Sequence, residues 1–362
     1  MRRSRRTGRR PGVEGGGAAV KERVMDRLVY SAYASGWAVL RHLPEPAARA
    51  LFDRLADSAW RRRGKRVLQL EANLLRVCPD ADEARLRELS RAGMRSYMRY
   101  WQESFRLPVW GRARVLRDVR VDGFEGLREV LESGRGAVVA LPHMGNWDLA
   151  GAWVASLGYP FTTVAERLEP ERLFDRFVAF RESLGMEVLA LTGGSVNVVG
   201  TLARRLRAGK LVCLVGDRDL SEAGIGVSFF GEATRMPAGP AALAQRTGAA
   251  LMPVSLWYEG RILRGRIHPE VPVPAEGDRA EKTRAMTQAM ADVWEDAIRE
   301  HPEDWHMLQR FWLADLPVRE TVEAEPVRPA DPVAAGPVVA KPVVADPVVA
   351  DPAAGAPGAS GA

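Results

Sequence analysis

The sequence has only two cysteines in 362 residues. Cys78 and Cys213 lie far apart and form neither a CxxC pair nor a Cys/His spacing. This usage argues against a disulfide framework and against a structural zinc site. It indicates a reducing, cytosolic setting.

Long apolar runs are also missing. The longest uncharged stretch, residues 149–165, is interrupted by Gly158 and Pro160, so it is unsuited to cross a bilayer. The arginine-rich residues 2–10 are not followed by the apolar run and cleavage site of a secretory signal. We therefore expect any membrane contact to be at the surface.

Several catalytic and binding motifs are absent as well. The sequence contains no G-x-S-x-G nucleophile elbow, no H-E-x-x-H metal helix and no helix-turn-helix or RNA-binding pattern. The net charge of +6 and the pI near 9.6 nevertheless favour anionic partners. With nucleic acid disfavoured by the missing motifs, an anionic membrane surface or a phosphorylated ligand is the better expectation.

The residues that are present predict an α/β fold with a mostly parallel central sheet flanked by helices. Hydrophobic residues make up 46% of the chain, which is enough for a sizeable core. After Pro108, short apolar runs alternate with helical patterns, as in an α/β protein. The predicted strands are residues 119–121, 137–141, 161–164, 187–190, 211–215, 251–258 and 261–267, the last two forming a hairpin at Gly260.

The chain divides into three parts. Residues 1–20 are expected to be a disordered basic arm, residues 21–317 a single domain with an N-terminal helical part at about 21–107, and residues 318–362 a disordered Pro/Ala/Val tail without chemistry. The helical part includes predicted helices at 53–66 and 82–98. Residues 24–43 predict a basic-ended amphipathic helix, which either packs on its own domain or lies in a membrane interface.

The segment LPHMGNWD, residues 141–148, carries the clearest chemical signal. His143 follows a predicted buried strand, and Asp148 stands in the first turn of the next helix, from which its carboxylate can reach back to the imidazole. A carboxylate in that place favours the imidazolium that forms when a general base takes a proton. The alternatives are a first-turn acid favoured by the helix dipole and a strand-end histidine with a backbone partner.

Asp217 follows another apolar strand and competes with Asp148 for the role of orienting His143, because ligands gather at the carboxyl ends of parallel strands. Pairing with Arg218 is the alternative for Asp217. Candidate substrate-binding residues are Gly224, as a turn glycine that lets the backbone approach a ligand, and arginines suited to bind phosphate. These arginines are Arg181, Arg218, Arg235 and Arg246. Each is also interpretable as a surface charge.

The LPHMGNWD segment resembles the H-x-x-x-x-D block of the lysophospholipid acyltransferase superfamily. Its surroundings are similar to the branch of lipid A late acyltransferases and mycobacterial phosphatidylinositol mannoside acyltransferases. Further blocks that fit are FVAFRESLG (177–185), DRDL (217–220), FFGEATRMPAGP (229–240), GAALMP (248–253) and PEDWHML (302–308). The last of these, with DRDLSEAGIGVSFFG, is more similar to the mannoside enzymes.

The resemblance implies that His143 deprotonates an acceptor hydroxyl, which attacks an acyl-CoA thioester without an acyl-enzyme. It also implies palmitoyl-CoA as co-substrate, no cofactor or metal, and a mannose of a phosphatidylinositol mannoside as acceptor. The expected location is peripheral, at the cytoplasmic face of the plasma membrane. The alternatives are a lipid A type or glycerolipid acyltransferase, and a non-catalytic membrane-binding protein with the same fold.

Overall fold

A computed structural model describes residues 37, 39–167, 171–191, 197–219 and 224–316. The predicted arm at 1–20 and the predicted tail at 318–362 lie outside these residues. Most of the predicted helix at 24–43 lies outside them too, although residues 39–42 are helical. From the same region, Trp37 is 1% exposed and packs its ring against Phe105, Phe177 and Phe180.

After the helical residues 39–42, ten α-helices and nine strands follow one another in the described chain. The helices are α1 (Glu45–Arg61), α2 (Lys65–Val77), α3 (Glu83–Arg106), α4 (Arg112–Asp118), α5 (Phe124–Glu132), α6 (Trp147–Ser156), α7 (Glu171–Ser183), α8 (Val198–Arg207), α9 (Gly239–Thr247) and α10 (Arg279–Glu300). The strands are β1 (Val119–Asp122), β2 (Ala137–Leu141), β3 (Phe161–Ala165), β4 (Met186–Ala190), β5 (Leu211–Val215), β6 (Ile225–Phe229), β7 (Glu232–Met236), β8 (Ala250–Glu259) and β9 (Ile262–Ile267).

Seven of the described strands form one sheet in the order β1-β9-β8-β2-β5-β3-β4. Every neighbouring pair is parallel except β8 and β9, which form the predicted hairpin. Gly260 lies in its turn with a φ of 57°, which glycine adopts without strain. The prediction of an α/β fold with a mostly parallel central sheet is confirmed.

Helices cover both faces of the sheet. Successive residues of a strand point to opposite faces, so each strand contributes side chains to two cores. In β2, Val138 and Ala140 belong to the core shared with α8, α9 and α10. Val139 and Leu141 belong to the core shared with α4 to α7. All five residues of β2 are buried, so the chain that leaves this strand starts from the centre of the domain.

The N-terminal helices form a separate apolar cluster in which α1 and α2 pack against α3. The prediction of a helix at 53–66 is wrong at the C-terminal end of that helix. Helix α1 ends at Arg61, Arg63 has a φ of 46°, and Gly64 caps a new helix that begins at Lys65. A second difference is the small antiparallel hairpin of β6 and β7, which lies in a segment for which no strands were predicted.

Candidate active site

The site begins where two neighbouring parallel strands end. Leu141 of β2 is paired in register with Val215 of β5, and the Gly216 amide donates to the Leu141 carbonyl at 2.9 Å. His143 and Asp217 each stand two residues beyond those strand ends. The register of the sheet therefore brings them to the same point of its carboxyl edge.

Asp217 is fully buried and accepts three hydrogen bonds. Its Oδ1 lies 2.6 Å from Nδ1 of His143, and its Oδ2 accepts from the His143 backbone amide at 3.0 Å and from Nε1 of Trp305 at 3.1 Å. Burial by itself would raise the pKa of Asp217. The charge of His143 and these hydrogen bonds outweigh burial, so the pKa of Asp217 is lowered.

An ionised carboxylate can only accept hydrogen bonds, so Nδ1 of His143 carries the hydrogen that it donates to Asp217. The lone pair is then on Nε2, which has no partner among the described residues. The side chain of His143 is 31% exposed, and its ring meets that of Trp147 edge-on with the centroids 5.4 Å apart. This arrangement presents an open, basic nitrogen to a ligand.

Asp148 does not contact His143, which corrects the expectation that its carboxylate reaches back to the imidazole. Asp148 is 2% exposed, and its Oδ1 accepts from Nε of Arg181 at 2.7 Å. Its Oδ2 accepts from the hydroxyl of Tyr100 at 2.9 Å. The five-residue spacing places the carboxylate on the inner side of α6, where it anchors that helix to α3 and α7.

A segment near the end of the described chain packs against residues 142–146. We call these residues, which carry His143, the catalytic loop. The Gly145 amide donates to the Asp304 carbonyl at 2.9 Å, and the His306 amide donates to the His143 carbonyl at 2.8 Å. Between them, Met144 and Trp305 form an antiparallel bridge. Residues 304–306 thus contact both His143 and Asp217, because Trp305 also donates to Asp217. We call His143 and Asp217 the dyad. From sequence, the PEDWHML block was predictable only as part of the family resemblance, and its supporting role was not predicted.

Gly145 is required at the centre of this loop. Its φ is 58°, and a Cβ there would lie 2.9 Å from the Cβ of Leu256. Any larger residue would push the loop away from β8. The conformation that points His143 toward Asp217 therefore depends on a glycine at this position.

Behind the loop lie two titratable groups with displaced pKa values. Burial raises the pKa of Asp304 to about 7, although Ser96 and the Tyr258 amide donate to its carboxylate. Burial, with a smaller effect of the charge on His143, lowers the pKa of His306 to about 3. His306 is therefore neutral at pH 7, so it places no positive charge beside the His143 ring.

An apolar cavity of about 100 Å³ lies between α6 and the face of the sheet. Leu141 and Val215, which precede His143 and Asp217 by two residues, both line it, as do Trp147, Ala150 and other residues of α6. Because Trp147 also touches the His143 ring, the cavity begins beside the dyad. A basic nitrogen beside an apolar cavity suits a reaction at one end of a lipid chain.

The model of the family described as "Bacterial lipid A biosynthesis acyltransferase" matches residues 18–314. The chain belongs to this family. A phosphatidylinositol mannoside acyltransferase of Mycolicibacterium smegmatis is 49% identical over 286 residues, covering 78% of this chain and 91% of that protein. Proteins of the same name from two strains of Mycobacterium tuberculosis are 48% identical over 287 residues, covering 79% of this chain and 89% of each relative.

These similarities confirm the family that the LPHMGNWD and PEDWHML blocks indicated. Both blocks lie within the matched residues. In this acyltransferase they form the two sides of one structure, since residues 304–306 pair with the loop that carries His143. The motifs are distant in sequence but adjacent in space.

The arginines predicted to bind substrate phosphate have different surroundings in this acyltransferase. Arg181 forms a buried ion pair with Asp148. This pairing corrects the expectation that the guanidinium of Arg181 is available to bind phosphate. Both residues line the apolar cavity. Burial opposes the charge of Arg181, but Asp148 outweighs it and raises the pKa of the guanidinium. Arg235 on β7 and Arg246 on α9 are exposed. None of the hydrogen bonds described around His143 involves either of them.

Of the four arginines predicted to bind substrate phosphate, Arg218 lies beside the His143–Asp217 pair. It contacts Glu166 at 3.7 Å and donates to the side chain of Gln309. Burial raises the pKa of Glu166, against the smaller effects of Arg218 and His143. Glu166, which the sequence analysis did not single out, follows β3 by one residue, and therefore lies at the same sheet edge.

Gly224 packs closely against protein groups. Its amide donates to Oδ2 of Asp219 at 2.7 Å, and a Cβ would lie 2.7 Å from the Met236 carbonyl. This close packing against protein groups explains why residue 224 is a glycine. The open space for a ligand that we expected beside it is not found in the described part of the chain.

The part of the chain that the structure describes contains no group of three His, Cys, Asp or Glu residues able to hold a metal ion. Within the same residues, no helix combines the length and apolarity that spanning a bilayer needs.

Proposed function

We propose that this protein moves a fatty acyl group, palmitoyl by resemblance, from acyl-CoA to a mannose hydroxyl of a phosphatidylinositol mannoside. The observation that carries the proposal is the His143–Asp217 pair beside an apolar cavity. The names of the relatives support this acceptor, since proteins at 48–49% identity are phosphatidylinositol mannoside acyltransferases.

In the proposed reaction, Nε2 of His143 takes the proton of the acceptor hydroxyl as its oxygen attacks the thioester carbonyl carbon. The carbon–sulfur bond then breaks, and the CoA thiolate receives the proton from the imidazolium. Asp217 fixes the tautomer and stabilises the positive ring between the two steps. Proton and electron pair balance within the two substrates and His143, so the reaction needs no cofactor.

Direct transfer is supported by the state of the thiol nearest the site. Cys213 lines the apolar cavity, and burial raises the pKa of its thiol. A protonated thiol is a poor nucleophile. Acyl transfer through Cys213 is therefore disfavoured, and the acceptor oxygen is the nucleophile.

The apolar cavity is the proposed binding site of the acyl chain. Its volume of about 100 Å³ is below the roughly 300–1,000 Å³ of ordinary ligand pockets. A long chain therefore enters only if the wall gives way. The half-buried Trp147 and Trp153, which both line the cavity, are the side chains whose movement would widen it.

Narrowing this cavity should change the donor preference. Ala150 lines it from α6, so Ala150→Leu adds three carbons to its wall. We expect transfer from palmitoyl-CoA to fall about tenfold or more while transfer from octanoyl-CoA changes little, because overpacking costs typically 1–3 kcal/mol. The measurement is kcat/KM for both donors. The control is Ala285→Leu, an exposed position on α10. Equal losses with both donors would place the chain elsewhere.

The acceptor is tested by giving purified protein labelled palmitoyl-CoA with one of four partners: phosphatidylinositol mannosides, lipid A precursors, lyso-glycerophospholipids, or water alone. We expect acylation of the mannoside. Acylation of the lipid A precursor alone would favour the alternative that the family description supports. Absence of transfer to every acceptor would favour a non-catalytic protein with this fold.

The proposed location is the cytoplasmic face of the plasma membrane, without insertion across it. A net charge of +6 and an arginine-rich start at residues 2–10 suit an anionic leaflet, where each basic residue contributes about 1 kcal/mol. The cysteine usage supports a reducing compartment.

A further inference from the structure

A second cavity, of about 410 Å³, lies on the other side of the first turn of α6 from the apolar cavity. It is enclosed by α1, α3, α4 and the turn between β8 and β9, and we call it the arginine cavity. Six arginines line it, namely Arg49, Arg99, Arg114, Arg117, Arg120 and Arg261. Its volume falls within the roughly 300–1,000 Å³ of ligand pockets.

The carboxylates of the arginine cavity neutralise only half of these cations. Three acids line it, Glu45, Glu103 and Asp118. Their ion pairs are Arg99–Glu103 at 2.7 Å, Arg114–Glu45 at 2.6 Å, Arg114–Asp118 at 3.2 Å and Arg117–Asp118 at 2.8 Å. Six guanidinium groups against three carboxylates leave an excess of three positive charges.

That excess is carried by arginines without an acidic partner among the described residues, namely Arg49, Arg120 and Arg261. Arg120 is held in place by the backbone carbonyls of Leu116, Arg117 and Val119 at 2.8–3.0 Å. A concave surface with an excess of one sign of charge concentrates ligands of the other sign. The arginine cavity is therefore built for an anion.

Two buried hydrogen-bond donors point to the same ligand chemistry. Gln102 is 4% exposed, and both it and Trp110 line the arginine cavity. Neither Nε2 of Gln102 nor Nε1 of Trp110 has a partner in the described chain. Buried donors are rarely left unpaired, so a ligand with several acceptor oxygens would pair them once the cavity wall opens enough to expose them. Phosphate supplies such oxygens, and guanidinium groups bind it with two parallel hydrogen bonds.

The arginine cavity is close to the catalytic loop but separate from the apolar cavity. Glu103, on its wall, accepts from Nδ2 of Asn146 at 3.0 Å, and Asn146 caps α6 three residues after His143. Leu149 lines the arginine cavity, whereas Trp147 and Asp148 line the apolar one. The first turn of α6 thus divides them. We propose that the arginine cavity binds a phosphate-bearing ligand at a site distinct from the acyl-chain cavity.

The test uses the full-length protein and the double variant Arg49→Gln/Arg261→Gln. The first probe is inorganic pyrophosphate, measured by titration calorimetry. The second is flotation with phosphatidylcholine vesicles that contain or lack phosphatidylinositol. Arg49 and Arg261 have no acidic partner among the described residues, so their loss should leave the melting temperature nearly unchanged. The matched control is Arg284→Gln, an exposed arginine of α10.

We expect the double variant to bind at least one probe about tenfold or more weakly, as removal of charge-assisted hydrogen bonds predicts, with the Arg284→Gln control unchanged. A loss confined to pyrophosphate identifies a soluble phosphate compound as the ligand. A loss confined to phosphatidylinositol vesicles identifies a lipid headgroup. Absence of binding to both probes, or equal affinity of the double variant and the control for both, overturns the site. Neither result bears on acyl transfer at His143.

Discussion

His143→Ala should reduce acyl transfer by a factor of about 100 to 10,000, the range typical for removal of a general base. Binding of acyl-CoA should persist, since the apolar cavity is lined by other residues. The measurements are single-turnover rates with labelled palmitoyl-CoA and a phosphatidylinositol mannoside, and donor binding by calorimetry.

The matched control is His42→Ala, because His42 is an exposed histidine distant from the catalytic loop in sequence. It should keep full activity. Transfer by His143→Ala at the rate of the unchanged protein would exclude His143 as the base. Loss of donor binding together with transfer would mean that the substitution disrupts the loop.

Asp217→Asn should slow transfer by a similar factor of about 100 or more, because the amide keeps the shape of the carboxylate but loses its charge. An amide also offers an N–H where Nδ1 of His143 now donates, which favours the wrong tautomer. The rate is compared with that of Asp148→Asn, with both normalised to folded protein by circular dichroism.

Asp148→Asn should behave differently. It breaks a buried ion pair with Arg181, and such breakage costs about 3–5 kcal/mol of stability. We expect a lower melting temperature with a smaller effect on the rate of the protein that remains folded. A rate loss in Asp148→Asn larger than in Asp217→Asn would contradict the assignment of Asp217 as the partner of His143.

The sequence predicted the sheet well because its strands are short apolar runs bounded by turn residues, and β2 to β5 alternate with helices of clear periodicity. It did not predict the break at Arg63 and Gly64, since the charged residues on both sides are compatible with one continuous helix. The β6–β7 hairpin was missed although its strands alternate, because each strand has only five residues and Gly226 and Glu232 are of types that are uncommon in strands.

The candidate site was predictable in part. The loop position of His143 and the strand-end position of Asp217 follow from local sequence. Which acid faces His143 does not, because that choice depends on the register of β2 against β5 and on Arg181, which comes from another helix and captures Asp148. The role of Trp305 is hidden for the same reason, as its partners are distant in the chain.

The support of the catalytic loop by residues 304–306 has a consequence for synthesis. A ribosome-bound chain that has emerged only to the end of β9 already contains His143, Asp217 and the seven strands of the sheet. It lacks the donor from Trp305 and both amide contacts that flank Met144. The contacts that support His143 and Asp217 are therefore complete only when α10 and the segment after it have left the ribosome and folded back. We thus expect a prematurely terminated chain that ends before residue 304 to carry the LPHMGNWD motif without the contacts that support it, and so without the proposed activity.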